Sequence, residues 1–87
     1  MKKKKAKAVA LKYEIEKDSA PRVVAKGTDI IAEKIIETAK AHHVPLYEDK
    51  NLVQVLEALD LDTQIPPELY RAVAEVLAFI YRINRKM

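Results

Sequence analysis

Cysteine is absent from this chain of 87 residues, and glycine occurs only once. Without cysteine the chain forms neither disulfides nor thiolate metal sites, and nothing indicates an oxidising compartment, so we expect a cytoplasmic protein. A phosphate-binding loop needs several small residues so that backbone amides can converge on the ligand. One glycine does not provide such a loop, so nucleotide binding of that kind is not expected.

Long apolar runs are also missing, since none approaches the roughly 18 residues that span a bilayer. The lysine-rich start leads into charged, strand-like sequence rather than the apolar core of a signal peptide. Aromatic residues amount to 6%, and none interleaves with the lysines to stack on bases. The sequence therefore predicts no membrane span, no secretion and no specific nucleic-acid site.

Hydrophobic residues make up 49% of the chain and charged residues 33%, as in ordinary globular proteins. At this length the chain suffices for one core and one domain. The net charge of +3 comes largely from Lys2, Lys3, Lys4, Lys5 and Lys7. We therefore expect a flexible basic tail over residues 1–6 and a folded domain over residues 7–87.

Three extended segments are predicted. Ala8–Tyr13 begins apolar and then alternates, and Arg22–Lys26 follows a proline that starts a second extended run. His43–Tyr47 contains Pro45, which ends the preceding helix and suits a brief third strand at a sheet edge.

Three helices are predicted between and after these strands. The first is capped by Thr28 or Asp29, and the second starts at Asp49. The third starts at Pro67, which suits the first helical position. The core face of the first helix is predicted from helical spacing to contain Ile31, Ile35, Ala39 and His42. The fold class is therefore α/β, a single domain with a small mixed β-sheet surrounded by helices.

The sequence shows no recognisable arrangement of catalytic or metal-binding residues. Ser19, the only serine, lies far in sequence from His42 and His43, and these histidines lack a further ligand one helical turn away. The run Asp60-x-Asp62-x-Gln64 begins like a calcium loop, but isoleucine and arginine stand where glycine and glutamate are required. We therefore predict that the protein is not an enzyme and uses no cofactor or metal.

A family resemblance is carried by three segments: Ala8–Tyr13, Ala20–Gly27 and Ile65–Leu77. In this order they resemble the cytoplasmic C-terminal domain of the type III export switch protein, the FlhB/YscU family, from about Ala6 to Tyr81. The resemblance implies a small sheet surrounded by helices. It also implies a role in switching the flagellar or injectisome export apparatus from early to late substrates.

The resemblance also implies binding partners and a cellular location. The partners would be flagellar export gate proteins and export substrates, together with the membrane portion of the full-length switch protein. The protein would be cytoplasmic and peripheral at the export gate. A different class of function is left open by the lysine tail, which could make the chain a small nucleic-acid or anionic-surface binder whose affinity falls steeply with salt.

Self-cleavage is the family's chemical signature, and it occurs at an Asn-Pro-Thr-His loop just before the first strand. This chain has Lys3-Lys4-Lys5-Ala6 at that place. Its only asparagines, Asn51 and Asn84, precede leucine and arginine rather than proline. We therefore expect a protein that does not cleave itself at this site.

By resemblance, the substrate-recognition patch of the family corresponds here to Ala20, Pro21, Ala74 and Leu77. A purely structural alternative fits the same residues. Ala74 and Leu77 could be core positions of an amphipathic helix, and Ala20-Pro21 could simply start a strand.

Overall fold

Two strands and three helices make up the domain in the computed structural model, which describes residues 6–14 and 16–85. The elements are β1 (Lys7–Lys12), β2 (Arg22–Thr28), α1 (Ile30–Ala41), α2 (Lys50–Glu57) and α3 (Tyr70–Arg85), with a 3-10 turn over Pro67–Leu69 leading into α3. The predicted α/β class is confirmed, since a small sheet is covered by helices. No helix in the described part of the chain is long and apolar enough to cross a membrane.

β1 and β2 pair antiparallel, and one face of their sheet is built from small residues. Ala8 lies opposite Gly27 and Ala10 opposite Ala25, and residues opposite each other in a ladder project to the same side. Helix α1 packs on this face, where Ile31 closely approaches Gly27. The absence of larger side chains lets the helix backbone come close to the sheet.

The opposite face of the sheet packs against α2, and α3 adds Val73, Val76 and Leu77 to the main core. Lys26 reaches from β2 to the C-terminal end of α2, where its ammonium donates to the carbonyls of Glu57 and Leu59. The core cluster on this side consists of Ala20, Leu52, Leu56, Ile65 and Val73, with Val9, Leu11, Leu59, Leu69, Val76 and Leu77 packed against it.

The starts of α2 and α3 are as predicted. Asp49 stands at the N-cap of α2 and accepts a hydrogen bond from the Leu52 amide at 3.0 Å, which satisfies one of the unpaired donors of the first turn. Pro67 begins the 3-10 turn ahead of α3, and the preceding Ile65 is buried.

The predicted face of α1 is wrong in part. Ile31 is 57% exposed and His42 is exposed, whereas Ala32 is fully buried. The Ala32 side chain is small enough to be enclosed where α1 lies close to the sheet, whereas Ile31 lies against Gly27 and remains largely exposed. The predicted cap is also not made, since Asp29 adopts φ 51° and its side chain makes no capping hydrogen bond.

The predicted third strand, His43–Tyr47, is wrong. This segment is irregular, and the Tyr47 ring packs edge-on against Phe79 of α3 with 5.1 Å between ring centroids. This contact directs the Tyr47 ring to α3 rather than to the sheet, and Pro45 offers no amide to a ladder. The sheet of the described residues is therefore antiparallel rather than mixed.

Candidate functional site

An open groove brings together the four residues of the predicted recognition patch. Ala20 and Pro21 lie just before β2, and Ala74 and Leu77 lie on α3, more than 50 positions later in the chain. The groove has a volume of about 170 Å³. Its lining is completed by Tyr13, Ser19, Ile65, Tyr70 and Val73.

The floor of the groove is rigidly built. Ala20 and Ile65 are each 3% exposed and Val73 is 1% exposed. The Pro21 carbonyl accepts a hydrogen bond from the Ile65 amide at 2.9 Å, which ties the chain before β2 to the chain before α3. This bond therefore joins two of the segments that line the groove.

The rim differs from the floor in its exposure. Tyr13 is 37% exposed, Tyr70 is 46% exposed, and Ala74 is also exposed. All three residues line the groove, and a larger side chain at position 74 would take up part of its space. Ala74 is therefore not a core residue, and the structural alternative fails for it, whereas Ala20 and Pro21 are buried and Leu77 is half-buried.

The size and lining of the groove suit the binding of an apolar side chain. A dry cavity of about 150 Å³ is large enough for a benzene ring, so the groove has room for one large apolar side chain. Its only hydroxyls come from Ser19, which donates to the Gln64 side chain at 3.3 Å, and from the two tyrosines. No group of three histidine or carboxylate side chains that could hold a metal ion occurs within residues 6–14 and 16–85.

A charged cavity of about 270 Å³ lies on another part of the surface. It is lined by Lys12, Glu14, Lys17, Asp18, Arg22, Val24 and Asp62. Three cations and three carboxylates face it, so it favours neither sign of ligand.

Asp18 organises the loop that borders this cavity. Its side chain, only 5% exposed, accepts from the Glu14 amide at 3.0 Å and from the Arg22 guanidinium at 2.7 Å. The hydrogen bond from Glu14, followed by that from Arg22, lowers the pKa of Asp18 below its usual value of 3.8. The same contact with Asp18 raises the pKa of Arg22. The loop thereby holds Ala20 and Pro21 in place.

Sequence reasoning did not assign five of the groove residues to the site. Two of the five, Tyr70 and Val73, are recognisable from the sequence. They recur at helical spacing with Ala74 and Leu77, which places all four on one face of α3. Tyr13, Ser19 and Ile65 join the groove only through tertiary packing.

Of the residues that stand in place of the cleavage motif, Lys3, Lys4 and Lys5 lie outside the described residues. The carbonyl of Ala6 accepts a hydrogen bond from the Asp29 amide at 2.8 Å.

Comparison with known proteins gives a consistent result. The family described as FlhB HrpN YscU SpaS matches residues 5–80. The chain is 47% identical over 81 residues to the uncharacterized protein YlqH of Bacillus subtilis, covering 93% of this chain and 87% of YlqH. It is 41% identical over 81 residues to the flagellar biosynthetic protein FlhB of Bacillus subtilis, covering 92% of this chain. Only 22% of that FlhB is spanned.

The fold is similar to solved structures of the same kind. The cytoplasmic domain of FlhB from Shewanella putrefaciens superposes with a TM-score of 0.87 at 36% identity. The match covers 93% of this chain and 64% of that domain.

Proposed function

Because this chain belongs to the FlhB HrpN YscU SpaS family, we propose that it is a non-catalytic protein-binding module of the flagellar type III protein export apparatus. In this role it binds export substrates and proteins of the export gate at the cytoplasmic face of the membrane. The membrane portion of the full-length switch protein is a further partner. The chain acts through contact alone and does not cleave itself.

One observation carries this proposal: Ala20, Pro21, Ala74 and Leu77 line a single groove although they are distant in sequence. A pre-formed apolar cleft with few polar groups is the usual form of a recognition site. In this proposal the groove, whose lining includes the exposed rings of Tyr13 and Tyr70, takes an apolar side chain of the partner over its buried floor.

The alternative function, binding of nucleic acid or an anionic surface through the lysine tail, is not favoured. The family match spans residues 5–80, which leaves Lys2, Lys3 and Lys4 of the tail outside it. If deletion of residues 1–5 abolished all binding while groove substitutions had no effect, this alternative would replace our proposal.

The test compares two alanines of α3. Ala74→Glu places a carboxylate in the groove, whereas Ala72→Glu makes the same change at an exposed position that does not line it. Purified rod, hook and filament substrates are titrated into each isotope-labelled protein, and amide shifts and affinity are recorded by NMR. We expect about a tenfold or greater loss of affinity for A74E, since a charge without a partner is costly to desolvate.

A72E should bind as the unmodified chain does. Equal affinities for A74E and A72E would refute the groove as the binding site. The cellular measurement is motility: in cells whose switch protein lacks its cytoplasmic domain, we expect the chain and A72E to restore swimming and A74E not to. Failure of the unmodified chain to do so would contradict its place in the export apparatus.

A further inference from the structure

The apolar stripe of α3 continues beyond the core. Val73, Val76 and Leu77, in the first half of the helix, belong to the core cluster or pack against it. Phe79 and Ile83, in the second half, are not part of that cluster, and Ile83 is 38% exposed. The second half of α3 therefore carries apolar side chains that the core does not cover.

A small apolar surface is formed around Phe79. The Tyr47 ring packs edge-on against the Phe79 ring, and Ile83 follows Phe79 by one helical turn on the same side of α3. Tyr47 and Ile83 both remain exposed. We call these three residues, Tyr47, Phe79 and Ile83, the Phe79 surface.

Two opposite charges flank the Phe79 surface. Glu75 and Arg82 are seven residues apart, which is about two turns, so they project to the same side of α3 and lie within about 60° of Phe79 around the helix. Both are exposed, and neither forms an ion pair with any residue in 6–14 or 16–85. They are separated by about 10 Å along the helix axis, which is too far for them to pair with each other.

The order of these charges is self-complementary. When two α3 helices lie antiparallel about a two-fold axis beside residues 78–79, Glu75 of each copy stands opposite Arg82 of the other. The two Phe79 side chains then lie near the axis. A parallel pair would instead place Glu75 against Glu75 and Arg82 against Arg82. The charges on α3 therefore favour a second copy of the chain in the antiparallel orientation.

We propose that the Phe79 surface is the contact between two copies of this chain, which pair through antiparallel α3 helices and two Glu75–Arg82 ion pairs. Apolar burial supplies the attraction, and the ion pairs set the orientation. Because the surface comprises only three apolar residues, the dimer is a transient one. Ala74 and Leu77 lie on a different side of α3, so the groove stays open in the dimer and this contact does not depend on the proposed function.

The first test reverses single charges. Self-association is measured by sedimentation equilibrium at protein concentrations up to about 1 mM. Glu75→Arg and Arg82→Glu should each weaken it about tenfold, since each variant converts two attractive pairs into two repulsive ones. Glu33→Arg and Lys34→Glu make the same changes at exposed positions on α1. These two controls should associate as the unmodified chain does.

The second test restores the pairs between different variants. In an equimolar mixture of E75R and R82E, a mixed antiparallel dimer contains two attractive pairs. The mixture should therefore associate about tenfold more tightly than either variant alone. A mixture of E75R and K34E has the same net charges and should associate more weakly. The double variant E75R/R82E should recover self-association.

The remaining measurements locate the contact. In NMR spectra of the isotope-labelled chain, amide shifts that depend on concentration should cluster around Tyr47 and residues 75–83. A74E should dimerise normally, so loss of groove binding and loss of self-association are distinguishable.

Three results would overturn the proposal. The first is a chain that stays monomeric at about 1 mM. The second is a mixture of E75R and R82E that associates no more tightly than the mixture of E75R and K34E. The third is self-association that A74E abolishes, which would identify the groove as the contact between copies.

Discussion

Gly27 and Ile31 approach so closely that a Cβ added to Gly27 would stand 2.6 Å from the Cβ of Ile31. Gly27 is the only glycine of the chain, and its φ is not positive. Its role is therefore to provide space for α1 rather than to permit an unusual backbone conformation. Replacing it probes how tightly the helix is held on the sheet.

For Gly27→Ala we expect a loss of about 1–3 kcal/mol in the free energy of unfolding, because the new methyl group overpacks the junction of α1 and β2. Urea denaturation followed by circular dichroism measures this. Ile31→Ala alone should cost less, since Ile31 is 57% exposed. The double variant G27A/I31A lacks the Ile31 Cγ2, which is the atom that a Cβ on residue 27 would approach most closely, so it should regain part of the loss. Purely additive effects would contradict the contact.

Asp18 should make stability depend on pH. Its pKa is lowered in the folded state by the Glu14 amide and Arg22, so its stabilising effect is complete well above pH 3.8 and is lost as the pH falls below that value through the folded-state pKa. The measurement is urea denaturation between pH 7 and pH 2. We expect Asp18→Asn to have a lower free energy of unfolding than the unmodified chain at neutral pH. As the pH falls, this free energy should decrease less for Asp18→Asn than for the unmodified chain.

The control for this prediction is Asp60→Asn, which changes an exposed carboxylate. It should keep the pH profile of the unmodified chain. Identical profiles for D18N and the unmodified chain would show that the Asp18 contacts do not contribute to folding.

Lys26 should stabilise the end of α2. The last turn of α2 has no basic residue of its own, and Lys26 donates to the Glu57 carbonyl at 2.9 Å and to the Leu59 carbonyl at 2.5 Å. Lys26→Met retains most of the apolar stem but removes the donor, so we expect a loss of about 1–2 kcal/mol in the free energy of unfolding. Lys34→Met on α1 is the control. If both variants lowered the free energy of unfolding equally, Lys26 would have no special role in stabilising the end of α2.

Absence of self-cleavage can be measured directly. No asparagine precedes a proline in this chain, so there is no Asn-Pro peptide bond for an asparagine side chain to break. We expect intact-mass spectrometry to show one undiminished mass after several days at 37 °C and neutral pH. A shorter product that begins within residues 3–6 would contradict the proposal.

The strands and helix starts were predictable where they depend on residues that are close together in the sequence. The strands around Ala8–Tyr13 and Arg22–Lys26 were found from composition and alternation, to within a few residues of their ends. The capping role of Asp49 and the start of the third helix at Pro67 were found from chemistry that acts within one turn. These features depend on residues that are neighbours along the chain, so they can be predicted from the sequence.

The sequence by itself determined the class of fold and the family. Tertiary structure alone decided that Ala32 rather than Ile31 is buried, that Tyr47 packs on Phe79 instead of joining the sheet, and that Lys26 completes α2. It also decided that Ala20 and Pro21 meet Ala74 and Leu77 across one groove. The physical reason is that burial and contact depend on the shape of the opposing surface, which residues distant in sequence supply.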